Sequence, residues 1–431
     1  MKKITILLCA IAWLMAMPVM AAVDDVFTYG NLKFKVITET DEKKEVQVIR
    51  PDADLSGDVV IPDHVTNNAV EYSVASIKGG EIGDGCAFRD MNGITSVTIP
   101  YTVYSMGLSA FYHCTGLKAV YNNGNMDQID GWTFNGCTNL EYCVVPATVL
   151  KIGQSAFEGC SALKALTILG SVELDQYALK GCSVLKSIYY CGSTLSLKPT
   201  EDTYKIFENT NNPVIYTKST ALTAIKGALN DKADWIKELA TDEIPYTPAK
   251  EYTTFCRDFD VDFSAATGLK AGVALSSTLD GEGKLTFTVK SSVPAGTGVL
   301  LKKLDSGEFK LKIAESAPDA VGGNLLKGVV YDTTISQTDG DNTNFVLSSG
   351  TFKKVNSVGG NTILAGKAYL QLPTSTPAPS ITISFDDEAT GINMVYGEDL
   401  KVNGYYNLQG QRVSQPTKGL YIINGKKVIV K

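Results

Sequence analysis

A repeat of nearly constant length constrains this chain more than any other feature of its sequence. Its anchor positions lie 23, 23, 23 and 22 residues apart, at Phe88, Phe111, Phe134, Phe157 and Leu179. Three residues after each anchor stand Met91, Cys114, Cys137, Cys160 and Cys182, and three further on stand Ile94, Leu117, Leu140, Leu163 and Leu185. Repeats of about 20 to 29 residues with such a ladder predict a leucine-rich solenoid, because one repeat cannot bury its apolar face alone.

The fullest copy shows what each repeat should contribute. In residues 140–146 (LEYCVVP) apolar positions alternate as in a half-buried β-strand, and the proline ends the strand's hydrogen bonding. Neighbouring strands should stack at about 4.8 Å, while an Ala-Phe pair fills the opposite side of each coil. Asn122 interrupts the second copy, which predicts a looser coil there, with Met126, Ile129 and Phe134 still pointing inward.

Residues 1–22 have the layout of a secretory signal peptide. Lys2 and Lys3 precede an apolar run that is short for a membrane span, and small residues follow before Asp24. Cleavage would remove two of 39 basic residues and leave 37 against 46 acidic ones, a net charge of −9 instead of −7. An acidic surface disfavours nucleic acid and anionic membranes as partners.

Beyond the repeats the sequence is also rich in strand patterns, so the predicted fold class is mainly β, a parallel-strand solenoid followed by smaller β units. The predicted divisions are an N-terminal cap with an atypical first repeat (23–93), the repeats (94–191), a C-terminal cap and linker (192–247), a β-sandwich-like domain (248–388) and a C-terminal β unit (392–431). Within the last unit, Asn424-Gly425 predicts a type I′ hairpin turn.

The sequence offers little for catalysis or for metal binding. No nucleophile, zinc or phosphate-binding motif stands in a supporting context, so we predict no enzyme, no metal site and no cofactor. His113 precedes Cys114, which raises the question of a Cys–His pair. Adjacent side chains diverge, and a partly exposed coil histidine is the better interpretation.

Eight cysteines follow the signal sequence, in a compartment that favours disulfides. Ladder cysteines in adjacent coils have nearly parallel Cβ vectors, whereas a disulfide needs convergent ones. We therefore predict reduced, buried thiols at Cys114, Cys137, Cys160 and Cys182. Cys86, Cys191 and Cys256 lie off the ladder, and a bridge among them is left open.

The outward positions of the repeat strands form the natural surface for binding, because they present one row of side chains per coil. Tyrosine gives a large contact area at low entropic cost together with a hydroxyl group. The candidate contact residues are Tyr121, Tyr142, Tyr189, Thr98 and Thr167. The alternative is that they are ordinary sheet residues.

The AFxxC and LxxVxIPxxVxxI phrases resemble the BspA-like leucine-rich repeats of surface proteins from Bacteroidetes and some other microbes. Cys114, Cys137, Cys160 and Cys182 match that motif directly. The tail phrase YNLQGQRVSQPTKGLYIINGKKVIVK is similar to type IX secretion sorting domains but shorter, so sorting, anchoring and a purely structural role are the alternatives.

The resemblance implies a secreted or outer-surface adhesion protein whose solenoid contacts a host or bacterial surface protein, extracellular matrix included. No membrane span is expected after signal cleavage. One alternative is a carbohydrate-associated protein that binds glycan through its β domain. Another is a structural spacer that extends a different module from the cell.

Overall fold

The computed structural model is mainly β, with 45% of residues in strands and 3% in helix. It describes residues 22–81, 85–198, 203–230, 240–280, 283–356, 360–376, 379–386, 392–395, 405–406, 412–413, 419–423 and 426–430. The predicted signal peptide therefore lies outside the described residues, apart from Ala22. None of the described helices is long and apolar enough to cross a membrane.

The chain divides into two compact units. The first holds the described residues of Met1–Tyr246, Asp258–Ala265 and Lys310–Pro318, and the second those of Thr247–Arg257, Ala266–Phe309 and Asp319–Lys431. Two short segments from the region that the sequence assigns to the β domain thus belong to the unit that contains the repeats.

The first unit opens with a small sheet that packs onto the start of the solenoid. Its strands and the first solenoid strand are β1 (Val26–Tyr29), β2 (Leu32–Glu39), β3 (Lys44–Ile49), β4 (Ser56–Val60), β5 (His64–Asn67) and β6 (Val70–Ile77). The order in the sheet is β1-β2-β3-β6-β5, and β4 pairs elsewhere. Phe34, Val46 and Tyr72 are buried in the same core as the repeats.

About seven coils stack to form the solenoid. Its further strands are β7 (Gly93–Ile99), β8 (Ser105–Met106), β9 (Ala119–Asn122), β10 (Gln128–Ile129), β11 (Tyr142–Val145), β12 (Lys151–Ile152), β13 (Ala165–Ile168), β14 (Val172–Leu174), β15 (Ser187–Tyr190), β16 (Leu195–Leu197), β17 (Val214–Thr217), β18 (Ala240–Thr241) and β19 (Ile244–Tyr246). A 3₁₀ turn spans Thr203–Phe207 and the helix α1 spans Leu222–Asn230.

Two parallel ladders run along the solenoid. The long ladder, in the order β4-β7-β9-β11-β13-β15-β17-β18, carries the predicted repeat strands. The short ladder, β10-β12-β14-β16, is formed by the two- and three-residue strands that follow the prolines or their equivalents. The predicted parallel-strand solenoid is confirmed.

The solenoid continues beyond the point where the sequence period fades. After Ile188 the next anchor is Phe207 in the 3₁₀ turn, and the amide of Leu179 donates to the carbonyl of Ile206 at 3.0 Å. Strand β17 then pairs in parallel with β15, so residues 203–217 form another coil. The longer insertion before Phe207 conceals this coil in the sequence.

The interior of the solenoid is a column of rings and thiols. Phe88, Phe111, Phe134 and Phe157 are fully buried, and successive ring centroids lie 4.8, 5.5 and 5.3 Å apart. Each ladder thiol donates to the carbonyl of the phenylalanine one coil back, as Cys160 Sγ does to Phe134 O at 3.2 Å. Met126 and Ile129 also point inward, as the sequence predicts.

The second unit is a further β domain, as predicted. The strands that follow β19 in the chain are β20 (Tyr252–Phe255), β21 (Val261–Asp262), β22 (Leu269–Leu279), β23 (Lys284–Val289), β24 (Ser292–Val293), β25 (Val299–Lys303), β26 (Phe309–Ile313), β27 (Leu326–Val329), β28 (Thr333–Ile335), β29 (Thr338–Asp339), β30 (Asn342–Ser348), β31 (Thr351–Lys354), β32 (Asn361–Ile363), β33 (Lys367–Pro373) and β34 (Ser380–Asp386). Of these, β21 and residues 310–313 of β26 belong to the first unit. One continuous sheet, β20-β25-β22-β23-β34-β31-β30-β33-β27, surrounds a core that includes Phe287, Phe345 and Phe352. Isolated bridges join Thr297, just before β25, to Lys327 of β27, and Leu275 of β22 to Asn324, so the sheet curls around this core.

The tail forms a sheet of its own. Its strands are β35 (Ile392–Val395), β36 (Tyr405–Tyr406), β37 (Arg412–Val413), β38 (Gly419–Ile423) and β39 (Lys426–Val430), in the order β35-β39-β38-β36-β37. Strands β38 and β39 are antiparallel, with Ile423 opposite Lys426. This register confirms that the two strands pair as a hairpin requires, whereas the predicted turn at Asn424-Gly425 lies outside the described residues.

Candidate functional site

The candidate site is the outward face of the long ladder, here called the strand face. Because side chains alternate along a strand, every second residue of each coil points away from the core. The parallel register aligns Thr98 with Tyr121, and it aligns Thr167 with Tyr189 and Tyr216. Tyr142 lies in the neighbouring row, between Ala119 and Ala165.

The first three coils leave this face partly open. Thr98, Tyr121 and Tyr142 are half-buried, and the ammonium group of Lys164 lies 5.6 Å from the centre of the Tyr142 ring. At the outer edge, the Asp58 carboxylate accepts hydrogen bonds from Ser96 Oγ at 2.6 Å and Thr95 Oγ at 2.8 Å. These two bonds lower the pKa of Asp58, which therefore places a carboxylate beside the open part of the face.

On the later coils the strand face is covered, because the segment that contains Phe259 packs against it. The Phe259 ring lies 4.8 Å from that of Tyr189, and the Tyr189 ring also stacks on Tyr216 at 5.5 Å. Phe259 is 1% exposed and Thr167 only 2% exposed. The prediction that Thr167 is a surface contact residue is therefore wrong, and Tyr189 is already occupied by contacts within the chain.

Sequence reasoning missed this covering segment for a physical reason. Phe259 lies in a short alternating stretch, Asp-Phe-Asp-Val-Asp, whose local pattern indicates only a strand with one polar face. The nearby buried residues Val261 and Phe263 give a weak signal that this stretch packs against something. Nothing in the local pattern specifies that its partner is a tyrosine about seventy residues earlier.

The ladder thiols are placed for structure rather than for reactivity. Burial raises the pKa of Cys114 and of Cys182 to about 12, so both are protonated at neutral pH. His113 does not activate Cys114, since its Nδ1 lies 3.8 Å from Asp90 Oδ1 and its ring stacks on Tyr112 at 4.0 Å. The eight cysteines of the described residues, Cys86, Cys191 and Cys256 among them, are all free.

His113 occupies a special backbone position. Its φ is 57°, and the matching positions of the next three coils are Gly136, Gly159 and Gly181, with φ near 75°. Each coil therefore turns through the left-handed region between its anchor residue and its thiol. In the part of the chain that the structure describes, no cluster of three or more His, Cys, Asp or Glu side chains is arranged to hold a metal ion.

Residues 81–212 match the family model for the BspA type leucine-rich repeat region, in six copies. No curated protein matches the chain significantly.

Several solved structures are similar to the chain. The pneumococcal vaccine antigen PcpA is 18% identical over 47% of this chain and 52% of that one, with a TM-score of 0.35. A leucine-rich repeat protein from Bacteroides ovatus is 25% identical over 46% and 56%, with a TM-score of 0.32. One from Bacteroides capillosus is 30% identical over 33% and 97%, with a TM-score of 0.28. The chain thus spans about half the length of the first two.

Proposed function

We propose that this protein is a binding protein of the cell exterior whose strand face contacts another protein. The observation that carries the proposal is the group of tyrosine and threonine side chains on the open coils, Thr98 and Tyr121 in one row and Tyr142 in the next, held on a parallel sheet. Rigid aromatic residues at a flat surface are the usual energetic centres of protein interfaces. The BspA-type repeats and the signal-like sequence at residues 1–22 support an exported protein.

The contact area is restricted to the first half of the solenoid. Tyr189 is engaged with Phe259, and Thr167 is buried, so the partner would meet Thr98, Tyr121, Tyr142 and the adjoining Lys164. Such a patch mixes aromatic, hydroxyl and charged groups. We infer a surface protein of a host or neighbouring bacterium, extracellular matrix included, as the partner class, and a non-enzymatic role.

Binding of the full chain to purified, deglycosylated matrix proteins tests this function. Tyr142→Ala and Tyr121→Ala should each weaken the dissociation constant about tenfold, since an interface tyrosine is often worth more than 1.4 kcal/mol. Tyr101→Ala is the matched control, because Tyr101 is 64% exposed and lies off the strand face. Equal binding by all three variants, each with wild-type thermal stability, would exclude the strand face as the contact surface.

A further inference from the structure

The short ladder is interrupted at one point. β10, β12, β14 and β16 pair in parallel, but β8, which comes from the preceding coil, pairs with β6. Within the described residues, no backbone hydrogen bond joins β8 to β10. Two neighbouring strands therefore leave unpaired edges beside each other, and unpaired N–H and C=O groups are available to a ligand or to water.

The cause of the interruption lies in the coil that begins at Asn122. This buried asparagine occupies the inward position that Ile99 and Val145 take in the adjacent coils. Its Oδ1 accepts a hydrogen bond from the amide of Gly124 at 3.1 Å, which forms a local turn before Met126. The chain thus reaches β10 by a different path from that of the regular coils.

A cleft of about 390 Å³ opens at the interruption, and its polar lining consists of Tyr104, Ser105, Asn125, Asp127, Gln128 and Asp130. Gln128 Nε2 donates to Asp130 Oδ1 at 2.9 Å, which fixes both side chains. Burial raises the pKa of Asp130, and the negative charge of Asp127 raises it further. The cleft therefore presents planar carboxylate and amide groups close together.

One wall of the cleft is an aromatic ring held in place from behind. Tyr104 donates its hydroxyl to the Glu45 carboxylate at 3.1 Å, and Lys43 Nζ lies 5.4 Å from the ring centre. Lys43 and Glu45 form an ion pair at 2.9 Å, and Glu45 is only 5% exposed. These contacts fix the orientation of a ring that is still 43% exposed.

We propose that this cleft binds a neutral sugar unit of a glycan. A pyranose presents an apolar C–H face, which packs on an aromatic ring, and a rim of hydroxyl groups, which pair with carboxylates and amides. The volume lies near the lower end of the range for small-ligand pockets, enough for one or two sugar units. Asp127 and Asp130 disfavour sulfated and uronic acid sugars by charge repulsion.

This site is separate from the protein contact on the strand face. It would give the solenoid a second kind of ligand, and the two surfaces carry no residue in common. A divalent cation held by Asp127 and Asp130 is the main alternative occupant, so the experiment is arranged to separate sugar from cation.

The test applies the fluorescently labelled full chain to an array of neutral and acidic glycans in buffer with EDTA. The neutral glycan that binds most strongly is then titrated calorimetrically. Tyr104→Ala and Asp127→Asn should each weaken its binding about tenfold or more, as expected for loss of a ring contact or a charged acceptor. The controls are Tyr101→Ala, an exposed tyrosine outside the cleft, and Glu173→Gln, a carboxylate of the same ladder on β14.

Four results would overturn the proposal. They are an array without neutral glycan binding, binding of acidic glycans alone, binding that both cleft variants retain, and binding that requires Ca²⁺ in place of EDTA. The last would assign the cleft to a cation. If Tyr104→Ala unfolds, as judged by circular dichroism, Asp127→Asn decides the question by itself, and it should still weaken binding about tenfold or more.

Discussion

At the scale of single residues, stacked phenylalanine rings and buried thiols join neighbouring coils of the solenoid. The phenylalanine rings stack at 4.8–5.5 Å, and every ladder thiol donates to a carbonyl of the coil before it. The repeat phenylalanines and cysteines are the part of the fold that the sequence predicts best, because their roles follow directly from the period. Hydrophobic periodicity predicts which residues of a coil point into the core.

Phe157→Ala should lower the free energy of unfolding by about 3–5 kcal/mol, because the ring is fully buried against Phe134 and its loss leaves a cavity. Urea unfolding followed by circular dichroism measures this. Tyr101→Ala, at an exposed position, should change the same quantity by less than about 0.5 kcal/mol. Similar small effects at both sites would show that the ring column does not support the fold.

The buried thiols also predict how stability depends on alkaline pH. A cysteine in the unfolded chain ionises near pH 8.5, whereas burial raises the pKa of Cys114 and of Cys182 to about 12 in the folded chain. Above pH 9 the unfolded state therefore binds fewer protons, and stability falls as the pH rises toward 12. Urea unfolding from pH 8 to pH 10.5 should show a shallower decline for Cys114→Ala/Cys182→Ala than for the wild type. Identical slopes would contradict buried, neutral thiols.

At the scale of the element, the turn in each coil requires one residue with a left-handed backbone. The residue between the anchor and the thiol has a positive φ in every copy, and it is Asp90, His113, Gly136, Gly159 or Gly181. A left-handed backbone costs a residue with a Cβ about 1 kcal/mol or more. The later copies thus have glycine at this position because glycine adopts a positive φ without strain. The sequence period alone does not reveal this requirement.

Two glycine substitutions separate backbone strain from crowding. Gly159→Ala should cost about 1 kcal/mol of unfolding free energy, because its new Cβ meets nothing closer than 3.8 Å. Gly136→Ala should cost more, because its Cβ would lie 2.2 Å from His113 Cδ2. Urea unfolding of the double variant Gly136→Ala/His113→Gly should show a loss of unfolding free energy that is smaller than the sum of the two single losses by about 0.5 kcal/mol or more. Strict additivity would mean that His113 moves aside freely.

At the scale of the whole molecule, sequence patterns are least informative. The period predicts the stacked coils but not the coil at residues 203–217, whose anchor is displaced by an insertion, nor the return of Phe259 onto Tyr189. The contact between Lys312 Nζ and Asp242 at 2.8 Å is equally remote in sequence. Such pairs arise from the path of the chain in space, and no local period encodes them.

A chain cut after residue 246 should therefore be less stable than one cut after residue 386. The shorter chain loses Asp258–Ala265 and Lys310–Pro318, which belong to the first unit. With them it loses the burial of the Phe259 ring, which is worth about 2 kcal/mol. Urea midpoints of the solenoid transition would show the difference. Equal midpoints would mean that the two returning segments do not stabilise the coils.

Removal of the tail should leave the rest of the molecule folded, since the strands β35–β39 pair only with one another among the described residues. We propose that this unit directs the protein to the cell surface. A chain ending at residue 386 should then fold but accumulate in the periplasm of the producing bacterium, as fractionation would show. Normal surface display of the truncated chain would leave the tail a purely structural role.

The thiol-to-carbonyl contacts between coils have a consequence for how such a chain changes over generations. Cys137 and Cys160 each bind the carbonyl of the anchor residue one coil back, so the bond joins neighbours of the same kind. Duplication or loss of one whole 23-residue block therefore recreates the same contact at the new junction and leaves no donor without an acceptor. The 22-residue repeat that ends at Leu179 keeps the same contact, from Cys182 to Phe157, so the unit that must stay intact is the whole coil rather than an exact length. The solenoid can therefore be lengthened or shortened in whole coils while its two ends keep their own sequences.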